Sequence, residues 1–341
     1  MSGAPPRRIC VATGSRAEYG LLLPLLRALD AAPDFELQIA VTGMHLDPRF
    51  GDTATVIETD GFAIDARIPT LDARDDGLGA GRAIGRGVSG FAEALDRLKP
   101  ELLVVLGDRF EILAAVTAAL VARVPVAHLC GGDVTAGAWD EAIRHAITKM
   151  AHLHFPTHED AARRLRQLGE QPERVFSVGA TGLDELLGME RMDREALEAS
   201  LGFRLREHNL LVTWHPETLD PADPVERLDA LLEALGRMGE DVGVLVTMPN
   251  ADAGGLAVGA RLRAWADERP HVGVWDSLGQ LRYLSSVALV DAVVGNSSSG
   301  LYEAPSLGTP TVNIGGRQDG RPRATSVVDC PIEVDAIEAA I

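Results

Sequence analysis

The segment from Gly295 to Pro310 has the composition of a phosphate-binding turn and reads G-N-S-S-S-G-L-Y-E-A-P-S-L-G-T-P. It follows an apolar run, which predicts a strand end, a hydroxyl-rich turn and a helix start. Free N–H groups at a helix start bind anions, and the hydroxyls of Ser297 and Ser298 are further donors. Glu303, more than one turn later, can accept from ribose hydroxyls. The segment therefore predicts a diphosphate cradle, although a Ser-rich helix cap would read similarly.

Acidic residues follow two other apolar runs and begin one helical pattern. Asp108 comes directly after the run 102–106, and Asp133 follows H-L-C-G-G. Asp140 and Glu141 start a helical pattern. Carboxylates in such positions suit general acid and base chemistry. Three of the four also have a structural alternative: Asp108 can be a helix N-cap, and Asp140 and Glu141 can pair with the basic residues four positions later.

Basic and amide side chains follow further apolar runs, where a bound anion would lie. Arg16 belongs to the turn G-S-R-A-E-Y-G after the first apolar run. Arg109 follows Asp108, after the run 102–106. His215 belongs to W-H-P-E, and Asn250 to P-N-A-D. Charge-assisted hydrogen bonds from these groups would hold a diphosphate. A surface arginine and a structural histidine are the alternatives.

Three histidines lie close together in the sequence and raise the question of a metal site. Only His154 and His158 share helical spacing, and Pro156 lies between them, while His152 is out of step. We therefore predict no metal ion and no other cofactor. The three cysteines are odd in number and contain no C-x-x-C pair, which fits a reducing cytoplasm better than a disulfide framework.

Charge and composition exclude several classes of protein. The 341 residues include 50 acids against 32 basic residues, a formal charge of −18, so the protein repels nucleic acid and anionic lipid. With 46% hydrophobic and 24% charged residues, the chain has the composition of a globular protein. No apolar run reaches the length of a membrane span, so we expect neither a nucleic acid nor a membrane partner.

The elements that must position these residues alternate short apolar runs with amphipathic stretches, the rhythm of parallel βαβ units. Strands are predicted at 9–13, 37–42, 102–106, 124–129 and 174–178, and then at 210–214, 242–248, 272–275, 287–294 and 311–314. A charged segment at 192–209 interrupts the rhythm, so two domains are expected, 1–190 and 191–341. Ligands bind beyond the carboxyl ends of such strands, which favours a site in the cleft between the domains.

Taken together, the motifs resemble those of the hydrolysing UDP-N-acetylglucosamine 2-epimerases of sialic and legionaminic acid synthesis. They are G-S-R-A-E-Y-G, L-G-D-R-F-E, H-x-x-G-G-D, D-E-x-I-R-H-x-I-x-K-M-x-H-L-H-F, W-H-P-E, P-N-x-D and G-N-S-S-S-G-x-x-E, and they span essentially the whole chain. Non-hydrolysing relatives carry G-T-R-P-E at the first turn instead. The resemblance implies two Rossmann-like, doubly wound α/β domains in a GT-B arrangement, with UDP bound mainly by the C-terminal domain and the active site in the interdomain cleft.

The resemblance also implies a role for individual residues. The UDP contacts that match are Arg16, Arg109, His215, Asn250, Ser297, Ser298, Glu303 and Arg317. The carboxylates that match are Asp108 and Asp140. Some family members have Glu before the Gly pair where this chain has Cys130, so either Asp133 takes over or the substrate differs. The candidate catalytic set is Asp108, Asp133, Asp140, Glu141 and His215.

The reaction that the resemblance implies is loss of UDP together with the C2 proton, then hydration at C1 with reprotonation on the opposite face. UDP-N-acetylglucosamine is the expected substrate, with UDP-N,N′-diacetylbacillosamine as the alternative. A GT-B glycosyltransferase and a non-catalytic UDP-sugar-binding protein are the rival functions. We also expect a homo-oligomer in the cytoplasm. The chain ends soon after Val334, where the GT-B pattern adds a further helix, so a truncated C-terminus is expected.

Overall fold

The structure is a computed structural model that describes residues 5–135 and 138–341. The chain divides into two compact units. The first comprises Met1–Asp133 and Asp140–Asp184, and the second comprises Val134–Trp139 and Glu185–Ile341.

The first unit contains six strands and the helices that connect them. Its strands are β1 Arg7–Thr13, β2 Phe35–Thr42, β3 Ala66–Ile68, β4 Leu102–Leu106, β5 Val126–Leu129 and β6 Leu153–Phe155. Its helices are α1 Arg16–Ala31, α2 Ala54–Thr59, α3 Gly77–Leu98, α4 Phe110–Ala122, α5 Asp140–Met150 and α6 Glu159–Gln167, and α7 Gly182–Gly188 crosses the boundary. The strands form one parallel sheet in the order β3-β2-β1-β4-β5-β6.

Both faces of this sheet are covered, because residues that alternate along a strand enter different cores. In β1, Ala12 belongs to one core with Phe91 of α3, whereas Val11 belongs to the other with Leu22 of α1. Burial on both faces explains why these strands read as continuous apolar runs in the sequence.

The second unit repeats the same plan. Its strands are β7 His208–Thr213, β8 Val242–Thr247, β9 Val272–Trp275, β10 Ala292–Gly295, β11 Thr311–Ile314 and β12 Val327–Cys330. Its helices are α8 Arg194–Leu201, α9 Pro224–Arg237, α10 Gly255–Ala266, α11 Gly279–Leu289, α12 Ser299–Ser306 and α13 Val334–Ala340. The parallel sheet has the order β12-β11-β10-β7-β8-β9. Both faces of this sheet are also covered. Val212 belongs to one core with Leu228 of α9, and Leu211 belongs to the other core with Leu197 of α8.

Each sheet has a point where the direction of winding reverses. In the first unit it lies between β1 and β4, and in the second between β7 and β10. Ligands of open parallel sheets bind outside the carboxyl ends of the strands at this point. The residues that follow these four strands are therefore the ones that the fold offers for binding and chemistry.

One predicted strand is wrong, and a second is wrong in its first part. At 174–178 the structure has only a bridge from Val175 to His154, after a short 3₁₀ helix. At 287–294 the first residues belong to α11, which runs to Leu289, and the strand begins later. A short apolar run cannot distinguish a strand from the buried face of a helix. The short strands β3, β6 and β12 were not predicted. Within the described residues, no helix is long and apolar enough to cross a membrane.

Candidate active site

The first turn of the first unit joins β1 to α1 and is closed by a capping box. Ser15 is the N-cap residue, and its Oγ accepts from the backbone N–H of Glu18 at 3.3 Å. The Glu18 carboxylate turns back and accepts from the N–H of Gly14 at 2.7 Å. Arg16, a predicted diphosphate contact, begins the helix and is half-buried. The turn therefore has the form that binds anions at a helix start.

Glu18 is a buried acid that the sequence prediction did not single out, although S-R-A-E is a capping-box pattern. Burial raises its pKa to about 8, Arg109 opposes this shift, and Glu111 adds to it. Glu18 is therefore protonated at neutral pH in the folded protein.

Glu18→Gln is expected to stabilise the protein increasingly as the pH rises. Below pH 4.5 the carboxyl group is protonated in both states, but between about pH 4.5 and 8 only the folded state holds the proton. Folding of the wild type therefore loses up to about 1.4 kcal/mol per pH unit in that range. Urea unfolding from pH 5 to 8 should show that the free energy of unfolding of the variant rises relative to that of the wild type as the pH increases. Glu58→Gln, at an exposed position, is the control, and a gap that does not grow with pH would contradict the assignment.

Arg109 and Glu111 form a buried ion pair after β4. The Arg109 Nη2 lies 3.2 Å from the Glu111 Oε1, and the guanidinium also lies over the ring of Phe110. Arg109 occupies the N-cap position of α4, which begins at Phe110. Asp108 is therefore not the N-cap residue, and that structural alternative is wrong. Glu111 was not identified from the sequence.

Three of the four predicted acids in this unit meet around Arg144 of α5. The Arg144 Nη2 donates to the Asp108 carboxylate, and its Nη1 donates to the Asp133 carbonyl oxygen at 2.8 Å and to Glu141 at 3.0 Å. Asp140, the first residue of α5, is buried. The strand end and the helix start that the sequence indicated are therefore brought together.

Glu141 and Asp133 also have other partners. The Glu141 Oε1 lies 3.0 Å from the Nε2 of His145, so Glu141 contacts the residue four positions later, as its structural alternative predicts. The Asp133 Oδ1 accepts from the Thr157 hydroxyl at 2.9 Å and lies 3.4 Å from the Nε2 of His158. Both acids thus have a structural role in addition to the predicted chemical one.

The histidines considered for a metal are separately engaged. His154 contacts Glu170 at 3.1 Å, and the Nδ1 of His158 accepts from the backbone N–H of Ala161 and caps α6. No group of three or more potential ligand residues is arranged to hold a metal ion in the part of the chain that the structure describes. Cys130 stands at φ +62°, in the left-handed region, directly after β5.

In the second unit, Asn296 and His215 join the two strands at the switch point. The Asn296 Oδ1 accepts from the backbone N–H of His215 at 2.7 Å, and its Nδ2 donates to the His215 carbonyl oxygen at 2.8 Å. Gly295 precedes Asn296 at φ +136°, and a Cβ there would clash with the Thr213 carbonyl oxygen. A glycine is thus required where the two backbones approach.

The side chain of His215 is oriented by the loop after β8. Its Nδ1 accepts from the backbone N–H of Asn250 at 3.3 Å. In the neutral imidazole the proton is therefore on Nε2, which can donate to a ligand. His215 and Asn250, two predicted UDP contacts, are thus in direct contact.

The remaining predicted contacts lie around the start of α12. Ser298 is the N-cap residue of this helix, and Ser297 precedes it. The Arg317 Nη1 donates to the Asn296 carbonyl oxygen at 3.2 Å, as does the Gln318 Nε2 at 2.8 Å. Asn296 and Gln318 were missed, although a polar residue between a strand and a phosphate-type turn was a signal for Asn296.

Glu303 lies one turn into α12. Burial raises its pKa, and its Oε2 is buried without a hydrogen-bond partner. A buried carboxyl oxygen without a partner is costly in a folded protein and marks a place where a ligand hydroxyl can donate. This observation fits the predicted contact with ribose.

Comparisons with known proteins identify the family of this chain. Residues 27–341 match the model of the UDP-N-acetylglucosamine 2-epimerase family. Among relatives, the chain is 38% identical to GDP/UDP-N,N′-diacetylbacillosamine 2-epimerase (hydrolyzing) of Campylobacter jejuni, covering 96% of this chain and 85% of that protein. It is 35% identical to UDP-N,N′-diacetylbacillosamine 2-epimerase (hydrolyzing) of Legionella pneumophila, covering 97% and 87%.

The structural comparison confirms the predicted fold class. UDP-GlcNAc 2-epimerase from Neisseria meningitidis, solved bound to UDP-GlcNAc, has a TM-score of 0.80 at 17% identity, covering 98% of this chain and 90% of that one. The resemblance drawn from the motifs is confirmed as well. This chain belongs to the hydrolysing branch of the UDP-N-acetylglucosamine 2-epimerase family.

Proposed function

We propose that the protein converts a UDP-linked 2-acetamido sugar to UDP and the free 2-epimeric sugar. The observation that carries this proposal is the set of side chains that lies at the switch point of each sheet. One offers the half-buried carboxylate of Asp108 after a strand end and the buried carboxylate of Asp140 at a helix start, and the other offers a helix start with hydroxyls and an oriented histidine. Acid and base groups together with an anion site are what elimination of a diphosphate requires.

The second unit is assigned to UDP, in keeping with the expected domain 191–341. The N–H groups at the start of α12 and the hydroxyls of Ser297 and Ser298 would receive the diphosphate. The Nε2–H of His215 would donate to a diphosphate oxygen, and Glu303 would accept from ribose. Arg16, Arg109, Asn250 and Arg317 complete the proposed UDP contacts.

The first unit, in the expected domain 1–190, is assigned to the sugar. A carboxylate removes the C2 proton while the C1–O bond breaks, and UDP departs with the bonding electrons, which leaves a glycal-like alkene. Water then adds at C1, and C2 receives a proton on the opposite face. Asp108 and Asp140 are the proposed acting groups, with Asp133 and Glu141 as the neighbouring acids.

Two substrates are compatible with this chemistry, and the comparisons favour one of them. Two relatives at 38% and 35% identity are named for N,N′-diacetylbacillosamine, and a third at 35% is polysialic acid biosynthesis protein P7 of Escherichia coli. UDP-N-acetylglucosamine 2-epimerase of Neisseria meningitidis is 27% identical. We therefore propose UDP-N,N′-diacetylbacillosamine as the preferred substrate and UDP-N-acetylglucosamine as the second candidate.

Parallel incubations test the function and the substrate together. Purified protein is incubated with UDP-N,N′-diacetylbacillosamine, its GDP analogue and UDP-N-acetylglucosamine, without any acceptor, and the products are followed by NMR. We expect a free 2-epimeric sugar from each accepted substrate, with an equal amount of UDP from a UDP-sugar or of GDP from the GDP analogue. A requirement for an acceptor would indicate a glycosyltransferase, and binding without turnover would indicate a non-catalytic UDP-sugar-binding protein.

UDP alone is expected to stabilise the folded protein, because the second unit carries the diphosphate site. At 100 times its dissociation constant, UDP should add about 2.7 kcal/mol of stability. Uridine lacks the diphosphate and should have a much smaller effect at the same concentration. Thermal unfolding with each compound measures the difference, and equal shifts for UDP and uridine would contradict the cradle.

His215→Ala is expected to weaken UDP binding by about tenfold or more, since one charge-assisted hydrogen bond is worth roughly 1.5–3 kcal/mol. His208→Ala, at an exposed position at the start of β7, is the matched control. Isothermal titration with UDP measures both variants. Unchanged UDP affinity with loss of turnover would instead place His215 at the sugar.

The proposal also includes the homo-oligomeric state and the cytoplasmic location that the sequence analysis expects. Light scattering on the purified protein, with and without UDP, tests the oligomeric state, and a mass equal to a single chain would contradict it.

A further inference from the structure

Arg144 is a fully buried guanidinium that joins three segments of the first unit. Its side chain is 1% exposed, against 22% for Asp108. Through Nη2 it binds Asp108 at the end of β4, and through Nη1 it binds the Asp133 carbonyl oxygen and Glu141 in the first turn of α5. Both carboxylates that it binds, Asp108 and Glu141, are more exposed than the guanidinium itself.

Packing alone does not account for an arginine at this position. Burying a charge costs free energy, and apolar residues of similar volume often replace buried ion pairs without loss of stability. An apolar residue, however, has no hydrogen-bond donors that could fix the orientation of a neighbouring carboxylate. The planar guanidinium presents donors at fixed angles and can hold a carboxylate and a carbonyl group at the same time.

The backbone before Asp108 is held from the same helix by a second set of contacts. The His128 Nε2 lies 2.7 Å from the Gly107 carbonyl oxygen, and the Thr148 Oγ1 lies 3.4 Å from the His128 Nδ1. Burial lowers the pKa of His128 to about 4, so the ring is neutral at pH 7 and donates from Nε2 to Gly107. Thr148 lies one turn after Arg144, so one face of α5 fixes both the backbone and the side chain at this strand end.

We propose that Arg144 is a positioning residue that holds the Asp108 carboxylate against the first turn of α5, where Asp140 lies. The inference rests on the proposed function, because it takes Asp108 as a group that acts on the sugar. The permanent charge of Arg144 favours the ionised form of Asp108. Asp108 would therefore accept a proton or stabilise positive character at C1, and the proton delivered to C2 would come from another group.

Arg144→Gln is expected to lower kcat by roughly 100-fold, the typical consequence of misplacing a catalytic group by about 1 Å. UDP affinity should stay within a few fold, because UDP is assigned to the second unit. Arg144→Lys keeps the positive charge but loses the planar guanidinium with its two donor nitrogens, so kcat should fall at least tenfold. Lys149→Gln, on the same helix at an exposed ion pair with Glu170, is the control.

A double-mutant cycle separates positioning from a general structural role. In an Asp108→Asn background, Arg144→Gln should change kcat by less than about threefold, since the group it positions is already lost. Guanidinium added to Arg144→Ala should restore part of the activity, and urea at the same concentration should not. An undiminished loss in the Asp108→Asn background, or full activity of Arg144→Lys, would overturn the proposal.

A titration without substrate distinguishes failure of this inference from failure of the proposed function. The Asp108 carboxyl carbon, assigned with Asp108→Asn, should titrate at higher pH in Arg144→Gln than in the wild type. Titratable groups that face the pair, and that every variant retains, are Glu18 of α1, His128 of β5, Asp133 after β5 and Glu141 of α5. An inactive wild type with this shift would contradict only the proposed function. Equal titrations in both proteins would overturn the role of Arg144.

Discussion

Asp108→Asn and Asp140→Asn are each expected to lower turnover by roughly 100-fold or more, the usual worth of a positioned acid or base. Asparagine keeps the shape and much of the hydrogen bonding of aspartate but removes its charge and its basicity. Asp108 lies at the end of β4 and Asp140 at the start of α5, in the unit assigned to the sugar. UDP affinity should therefore stay within a few fold. Turnover by product NMR and UDP titration measure the two effects.

The control for these variants is Asp160→Asn, which removes an exposed acid of α6 that pairs with the exposed Arg163 and should leave turnover unchanged. The two active-site variants should also differ from each other in solvent exchange at C2. Loss of the base stops deuterium incorporation at C2 altogether. Loss of the later acid blocks the product, but the elimination can reverse, and the base, after exchange with solvent, then returns deuterium to C2 of the unconverted substrate. Near-normal turnover in both variants would reduce these carboxylates to structural roles and would move the proton transfers to Asp133 or Glu141.

Asn296→Ala is expected to have the largest effect in the second unit. The Asn296 side chain pairs with both the N–H and the carbonyl group of His215, and all of these groups are buried. Each buried main-chain group left without its partner costs about 1–3 kcal/mol, so the loss of stability should be roughly 2–6 kcal/mol. UDP affinity should fall as well, because the position of His215 depends on this pairing. Urea unfolding and UDP titration measure the two consequences.

Asn313→Ala is the matched control, since Asn313 is a buried asparagine of the same sheet. Its Nδ2 donates to Asp329, which is half exposed and is also bound by Arg323. Loss of this bond leaves no main-chain group buried and unpaired, so the cost should be clearly smaller. If the two variants were equally destabilised and bound UDP equally well, the pairing of Asn296 with His215 would have no special role.

The architecture could be predicted from the sequence because strands buried on both faces appear as continuous apolar runs. The predicted run 311–314 coincides with β11, and 102–106 coincides with β4. The edge strands β3 and β6 have three residues each with Arg67 or His154 in the middle, and β12 is largely exposed, so none of them forms a continuous apolar run. At 287–294 the buried face of a helix and the following strand form one apolar run, and only the three-dimensional fold separates them.

The candidate site could be predicted to the level of which strand ends carry polar residues. Its internal pairing could not, because partners such as Asp108 and Arg144 are 36 residues apart. A four-residue spacing suggested a link between Arg144 and the start of its own helix, but the structure adds a partner from another strand. Glu18 illustrates the same limit, since its raised pKa comes from burial and from Glu111, which is distant in the sequence.

We expect UDP to leave by elimination across C1 and C2 and water then to add at C1. The most direct measurement is turnover of UDP-N,N′-diacetylbacillosamine and UDP-N-acetylglucosamine in deuterated, ¹⁸O-enriched water. Mass spectrometry and NMR then analyse the free sugar and UDP. Elimination followed by hydration predicts a free 2-epimeric sugar with one deuterium at C2 and ¹⁸O at C1, and UDP without ¹⁸O. A free sugar that retains its C2 proton and its configuration would indicate simple hydrolysis, and ¹⁸O in UDP would indicate cleavage at phosphorus. Either result would contradict the account.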